Sequence, residues 1–258
     1  MKFENTEVFN FEGALRGMRN PKESWEKSDS AYKTKTMTSM AEMAETLRCM
    51  AYCGFEIGEN DLKLAQTLIK AGSEHRKFMR QIFVSVDITA PLYWWKEFDT
   101  YKVGTVSNST STMHKLADTP ITKECFEMDD FEELEMEVNG MVYSISDSWN
   151  TEIAECEFLR KRYNKILENK KYLEEIKEFE EAKKAQVMAK KYWKALIRKL
   201  PESWLQKRTV TMDYENLLAM CSKGQRRFHK LTEWSKSFID WARSLPYAQE
   251  LIFLDEIL

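Results

Sequence analysis

Glycine, proline and histidine are scarce in this chain, with 8, 5 and 3 among 258 residues. So few turn formers argue against an architecture of many short strands, and 14 Met with 31% charged residues favours helix. The three histidines and five cysteines (Cys49, Cys53, Cys125, Cys156, Cys221) include no CxxC pair and no cluster with zinc-ligand spacing, so no metal site is expected. An odd, scattered set of thiols reads as reduced and mostly buried, as in a cytoplasm. No apolar run approaches the length of a membrane span, and MKFENTEVFN lacks the apolar stretch of a signal peptide. A cytoplasmic protein with no membrane partner is the expectation. Neither sign of charge dominates: 39 basic against 42 acidic residues give −3, which exerts no general pull on nucleic acid. Walker, GxGxxG and GxSxG patterns are all missing, so the common nucleotide-binding loops and a serine nucleophile elbow are not indicated.

What is present is 43% hydrophobic residues, enough for a sizeable core. Residues 3–11 (FENTEVFNF) suit a short first strand, and GALRGMRNPKESW follows. Met40, Met43, Leu47 and Met50 give Met37–Cys53 helical spacing, with Cys49 and Cys53 on one face. Asn60 or Asp61 caps a helix over LKLAQTLIKA that ends before Gly72. Phe78–Ile88 (FMRQIFVSVDI) reads as a largely buried strand, and Pro91 opens a short helix, LYWWKEF. An acidic patch from Glu127 leads into MEVNGMVYSI, where Asn139-Gly140 between apolar residues signals a hairpin. Ser148–Lys199 is helical throughout, dense in Glu and Lys, and suits paired amphipathic helices whose charges are a solvated face. Leu200-Pro201 stops them. KRTVTMDY suits a strand, with Asp213 capping ENLLAMCS. Gly224 then separates a long final helix with Phe228, Leu231, Trp234, Phe238 and Trp241 as its buried stripe. The predicted organisation is one α+β domain over 1–258, with an acidic hairpin and charged helices at about 127–199 as an elaboration.

The stretch AGSEHRKFMRQIFVSVDITAPLYWWKEFDTYKVGTVSNSTSTMHK carries most of the chemistry, including two of the three histidines. His75 precedes the buried strand, where it either faces a planar ligand or holds a helix–strand junction. Trp94 and Trp95 offer a stacking surface or, at helical spacing beside Tyr93 and Phe98, plain core. Lys102, Ser107, Asn108, Ser109, Ser111 and His114 place hydroxyls, amides and charge along one segment that either lines a polar pocket or forms an exposed loop. Arg226, Arg227 and His229 offer charge for a phosphate, or the solvated side of a helix.

The order of these features resembles the flavin-dependent thymidylate synthases. Ser73-Glu74-His75 resembles that family's Glu-His element and FMRQIFVSVDI its buried strand. YWWKEFDTYKVGTVSNSTSTMH lies where the signature RHRxxSxNExSxRY belongs. With Asn108 on the signature asparagine, Ser111 matches its second serine and His114 its tyrosine. The RHR triplet then falls on Tyr101-Lys102-Val103, or on Thr100-Tyr101-Lys102 with an insertion before Asn108. GALRGMRNPKESW resembles an early Ala-Arg element, and IRKLPESW a Leu-Pro turn. TVTMDYENLLAM resembles the strand and helix that follow, and Arg243–Gln249 (RSLPYAQ) an Arg-x4-Ala-Gln element. Arg226 or Arg227 competes with Arg243 for that arginine.

The resemblance implies a helix-rich α+β fold around a small, mostly antiparallel sheet, a homotetramer, FAD, and methyl transfer to a uridylate-type nucleotide (dUMP). A reduced nicotinamide and a folate donor belong to that reaction. It implies flavin contacts at His75, Lys102, Asn108 and Ser109, and substrate contacts at Ser111, His114 and Arg227 or Arg243. The sequence also departs from the family. Ser109 stands for the signature glutamate, Met113 for an arginine, and at most one cation remains of the RHR triplet. Lysine for arginine removes a bidentate phosphate grip. The alternative is therefore a non-catalytic protein that keeps the fold and binds a nucleotide or another phosphorylated ligand.

Overall fold

Val84, Val86, Ile88 and Ala90 are fully buried, while Phe83, Ser85, Asp87 and Thr89 between them are half-buried. That period-two alternation makes Phe83–Pro91 a strand with one face on the core. The computed structural model describes residues 1–32, 54–111, 115–128 and 134–256. In chain order its principal elements are β1 (Lys2–Phe9), α1 (Phe11–Arg19), β2 (Ala31–Tyr32), β3 (Phe55–Glu56), α2 (Glu59–Lys70), β4 (Phe83–Pro91), α3 (Leu92–Phe98) and β5 (Val106–Ser109). There follow β6 (Glu135–Val138), β7 (Met141–Ser144), α4 (Ile145–Glu175), α5 (Phe179–Lys199), β8 (Leu205–Asp213), α6 (Tyr214–Met220), α7 (Lys223–Phe228), α8 (Ile239–Arg243) and α9 (Ala248–Leu251). A four-stranded sheet has the order β1-β4-β8-β5, with β1 and β4 antiparallel; β2–β3 and β6–β7 are separate antiparallel pairs. The chain is thus helix-rich with a small sheet, as expected. It divides into two compact units, one of residues 1–89, 94–108 and 207–258, the other of 90–93 and 109–206.

In the first unit the core gathers Val84, Val86 and Ile88 with Phe11, Ala14 and Leu15 of α1, Trp94, Trp95 and Phe98 of α3, and Val210 and Met212 of β8. Beneath it lies a buried polar knot. Arg19 donates from Nε to Asp61 (2.6 Å) and from its two Nη groups to the carbonyls of Ser24 (3.2 Å) and Lys27 (3.1 Å). Ser28 and Ser30 donate to the other Asp61 oxygen at 2.6 and 2.5 Å. Burial alone would raise the Asp61 carboxyl, but the hydrogen bonds from Ser28, Ser30 and Arg19 outweigh it and hold it below its ordinary value.

Three expectations change here. α2 begins at Glu59, and the Asp29 side chain, from a distant segment, accepts from the N–H groups of Asn60 (2.8 Å) and Asp61 (3.1 Å). Neither Asn60 nor Asp61 is the cap; Asp61 is free to turn inward. Phe78 lies in a 3-10 turn, Lys77–Gln81, because polar residues at Arg80 and Gln81 interrupt the strand alternation. The predicted long final helix is three pieces. Gly224 sits inside α7, Phe228 and Leu231 are 74% and 57% exposed, and a π-helical stretch, Glu233–Phe238, precedes α8. His229 stacks on Trp234 five residues on, whereas a continuous helix would turn those residues about 140° apart. Trp234, Phe238 and Trp241 do form the buried stripe. The Met37–Cys53 helix lies outside the described residues.

The second unit is organised by α4 and α5, joined at Ile176–Glu178 with Lys177 at φ 64°. Ala182, Ala189 and Leu196 of α5 and Ile153 and Cys156 of α4 are buried; the small alanines let two heavily charged helices approach. Leu116, Ile121 and Phe126 complete this core, with Trp193 and Trp204 packed against it. Arg160 grips Glu157 with both arms of its guanidinium (2.7 and 2.8 Å) and donates to the Ala117 carbonyl at 3.1 Å, while Glu157 accepts from the Ile121 N–H at 2.8 Å. Asn139 (φ 53°) and Gly140 (φ 78°) make the predicted two-residue turn between β6 and β7. No helix among the described residues is long and apolar enough to cross a membrane.

Each unit holds a strongly acidic carboxylate. Hydrogen bonds from Thr209, Asn5 and Lys207 lower Asp87 to about 2, and the Arg160 hydrogen bond lowers Glu157 to about 2. A folded-state value below the unfolded one gives stability that is present above the unfolded value and lost as pH falls through the folded one. Thermal midpoints are therefore expected to drop steadily between about pH 4.5 and pH 2. Asp87→Asn should flatten part of that slope; a curve of unchanged shape would exclude Asp87 as a contributor.

Candidate functional site

The short helix α3 turns Trp94, Trp95 and Phe98 inward, with Glu97 half-buried and Asp99 exposed just past its end. Its two tryptophans are each about 1% exposed, so they are core and not a stacking surface. They act one step removed. Arg208 of β8 lies with its guanidinium 4.2 Å over the Trp95 ring and donates to Asp99 at 2.8 Å. Trp234 packs against Trp94 at 5.6 Å and carries two further rings, His229 at 4.2 Å and Tyr101 at 5.6 Å. The Tyr101 hydroxyl is 3.5 Å from His229 Nε2, and a Glu97 carboxylate oxygen is 3.6 Å from the same nitrogen.

This wall is electrically quiet at neutral pH. Burial pushes the Tyr101 phenol up to about 12, with the Glu97 charge adding to it, so it stays a hydrogen-bond donor. Burial lowers the His229 ring, against the pull of Glu97, so His229 is neutral at pH 7 and supplies no charge for a phosphate. Thr105 donates to the Tyr101 carbonyl, closing the loop that follows. That loop is seated on the capping box of α6, in which Asp213 accepts from the Asn216 N–H at 2.8 Å. Gly104 (φ 79°) is required there, because a Cβ would lie 2.7 Å from Asp213 Oδ2 and 2.8 Å from Asn216 Oδ1. The signature-like segment is thus held at its root by a turn that only glycine fits.

Beyond the loop, β5 carries Ser107, Asn108 and Ser109, all exposed, at one edge of the four-stranded sheet. Lys102 is exposed in the loop, Ser111 is half-buried beyond the strand, and His114 lies outside the described residues. His75 is exposed in the turn after α2, its N–H donating to Gly72 at 3.0 Å. Arg227 is exposed on α7. Arg243 makes a two-armed pair with Glu256 at 2.6 and 2.8 Å. No hydrogen bond or ion pair among the described residues joins His75, Lys102, Asn108 and Arg243 to one another. Edge hydroxyls, an amide and one lysine suit a phosphate or ribose, whereas Trp234, 1% exposed and stacked on by His229 and Tyr101, is core like Trp94 and Trp95. Sequence reasoning did not foresee that Tyr101 and Glu97 meet at His229, although Tyr101 adjoins Lys102 in the segment it singled out. Cys221 is not a candidate nucleophile: it is buried and its thiol is pushed up to about 12.

The fold is that of the flavin-dependent thymidylate synthases. The chain is similar to a crystal structure of the enzyme ThyX from Helicobacter pylori complexed with FAD and dUMP, at TM-score 0.54 and 16% identity, covering 99% of both chains. A second Helicobacter pylori ThyX structure with FAD and dUMP superposes at TM-score 0.51, again 16% identical, over 97% of this chain and 98% of that one. No protein-family model and no curated protein matches the sequence.

Proposed function

We propose that this protein binds a flavin and a uridylate-type nucleotide, as a divergent relative of the flavin-dependent thymidylate synthases. The observation that carries the reading is the end-to-end likeness to two structures that hold FAD and dUMP. Lys102, Asn108 and Ser109 would contact the flavin phosphates, with His75 at its ring; Ser111, His114 and Arg243 or Arg227 would contact the nucleotide. The donor set fits such a ligand, since β5 exposes Ser107, Asn108 and Ser109 and the loop before it exposes Lys102. A reduced flavin supplies hydride and one-carbon chemistry when a nicotinamide and a folate donor are available. The protein's part is to orient the nucleotide and flavin through Lys102, the β5 groups and Arg243 or Arg227. A cytoplasmic homotetramer is the assembly this reading implies.

The second reading is ligand binding without turnover. It is favoured by Lys102 standing alone where the family places a two-arginine triplet, and by Arg243 being engaged already by Glu256. Calorimetry with FAD decides the first point: no heat at saturating FAD removes the flavin. Binding of FAD without conversion of dUMP by reduced cofactor and folate donor leaves the second reading. Lys102→Ala should weaken FAD affinity about tenfold, the scale of one charge-assisted phosphate hydrogen bond. Unchanged affinity would take Lys102 out of the site.

A further inference from the structure

Two arginines that competed in the sequence for one substrate role, Arg226 and Arg243, meet around one carboxylate. Arg243 Nη1 and Nη2 donate to the two oxygens of Glu256 at 2.6 and 2.8 Å. Arg226 Nη2 lies 3.0 Å from Asp255 Oδ2 and 3.3 Å from Glu256 Oε1, and its Nη1 donates to the Cys221 carbonyl. The backbone N–H of Lys223 donates to the same Asp255 oxygen at 3.1 Å. Both guanidiniums lie over the buried Phe253 ring, at 5.6 and 4.5 Å, which fixes their planes. Asp240 and Gln249 also act on this cluster, on Arg243 and Glu256 respectively.

We propose that Arg226, Arg243 and the Lys223 N–H form a phosphate-monoester site that the chain keeps closed with its own Asp255 and Glu256 carboxylates. A guanidinium fork reads two coplanar oxygens, and carboxylate and phosphate present them alike. Glu256 on the Arg243 fork occupies the place of two phosphate oxygens, and Asp255 on Arg226 and the amide occupies that of a third. Arg243 is 38% and Glu256 27% exposed, so the pair is open to exchange with a ligand in solution. A phosphate monoester carries about −1.5 to −2 charge, matching the two carboxylates together, so one dianion can take their place without leaving the guanidiniums unpaired. The cost of displacement lowers apparent affinity by the fraction of time the site stands open. This inference rests on Arg243 being the nucleotide contact of the reading above. It adds that the contact is withheld until Leu254–Glu256 is displaced.

The test is calorimetric titration of the full chain and of Asp255→Asn/Glu256→Gln with inorganic phosphate, then with dUMP. The double variant should bind both at least tenfold more tightly than the parent, and Arg243→Ala added to it should abolish the gain. Equal affinity in parent and variant, both folded by circular dichroism, overturns the closure and leaves a structural clamp. If the double variant does not fold, Glu256→Asp, which keeps the charge but shortens the reach, should still bind phosphate more tightly than the parent. In the parent, saturating phosphate should shift the Arg243 guanidinium resonances; unmoved resonances overturn the proposal. FAD titration separates the two claims: flavin binding without a phosphate gain removes the closure alone, and a phosphate gain without flavin binding removes the flavin alone.

Discussion

Replacing Arg19 by leucine is expected to cost about 3–5 kcal/mol of folding stability, the scale of a buried ion pair broken on one side. Its side chain is 5% exposed and that of Asp61 0%, so the carboxylate left behind would be dry and without its cation. Ser28 and Ser30 would still donate to it, but two neutral hydroxyls do not balance a buried charge. The Ser24 and Lys27 carbonyls would lose their donors as well. Urea midpoints of Arg19→Leu and of Arg19→Leu/Asp61→Leu make the decisive pair. The double variant should recover most of the loss, since an apolar pair of similar volume replaces a buried ion pair at little net cost. A double variant as unstable as the single would show that the damage lies in packing and not in the stranded charge.

Trp234→Ala should cost about as much, roughly 3–5 kcal/mol, for a different reason. Trp234 is 1% exposed and touches the rings of Trp94, Tyr101, His229 and Phe238. Its removal leaves a cavity that four aromatic residues line and cannot fill by a rotamer change. The substitution also opens the wall to water, so the Tyr101 phenol should titrate well below its value of about 12, toward the ordinary range. Phenolate absorbance against pH reports that shift in whatever fraction remains folded. Trp234→Phe, which keeps a ring in place, should lose less stability and retain most of the shift. If Tyr101 titrates identically in all three proteins, Trp234 does not shield it.

The parts legible beforehand were those decided within a few residues. LYWWKEF after Pro91 became α3, Asn139-Gly140 became the hairpin turn, and Asp213 capped α6 with the predicted geometry. The resemblance to flavin-dependent thymidylate synthases rested on such local segments in a given order, and the fold bears it out. Errors arose where a distant group replaced a local one. Asp29 caps α2 from outside the helix, and the ring of His229 turns back onto Trp234 and breaks the helix that periodicity predicted.

For the site, residue types announced a polar segment, Lys102 to Ser111, but not whether it lines a pocket. β5 shows it as an exposed sheet edge, which composition cannot distinguish from a loop. Local patterning, turn chemistry and apolar spacing were thus enough to name several helices, most strands and the fold, because each depends on neighbours in the chain. Which carboxylate meets Arg19, which rings meet on Trp234 and which anion fills the forks of Arg226 and Arg243 depend on residues as far as 133 positions apart. Only the tertiary packing brings those groups within hydrogen-bonding or stacking distance, where such short-range forces act.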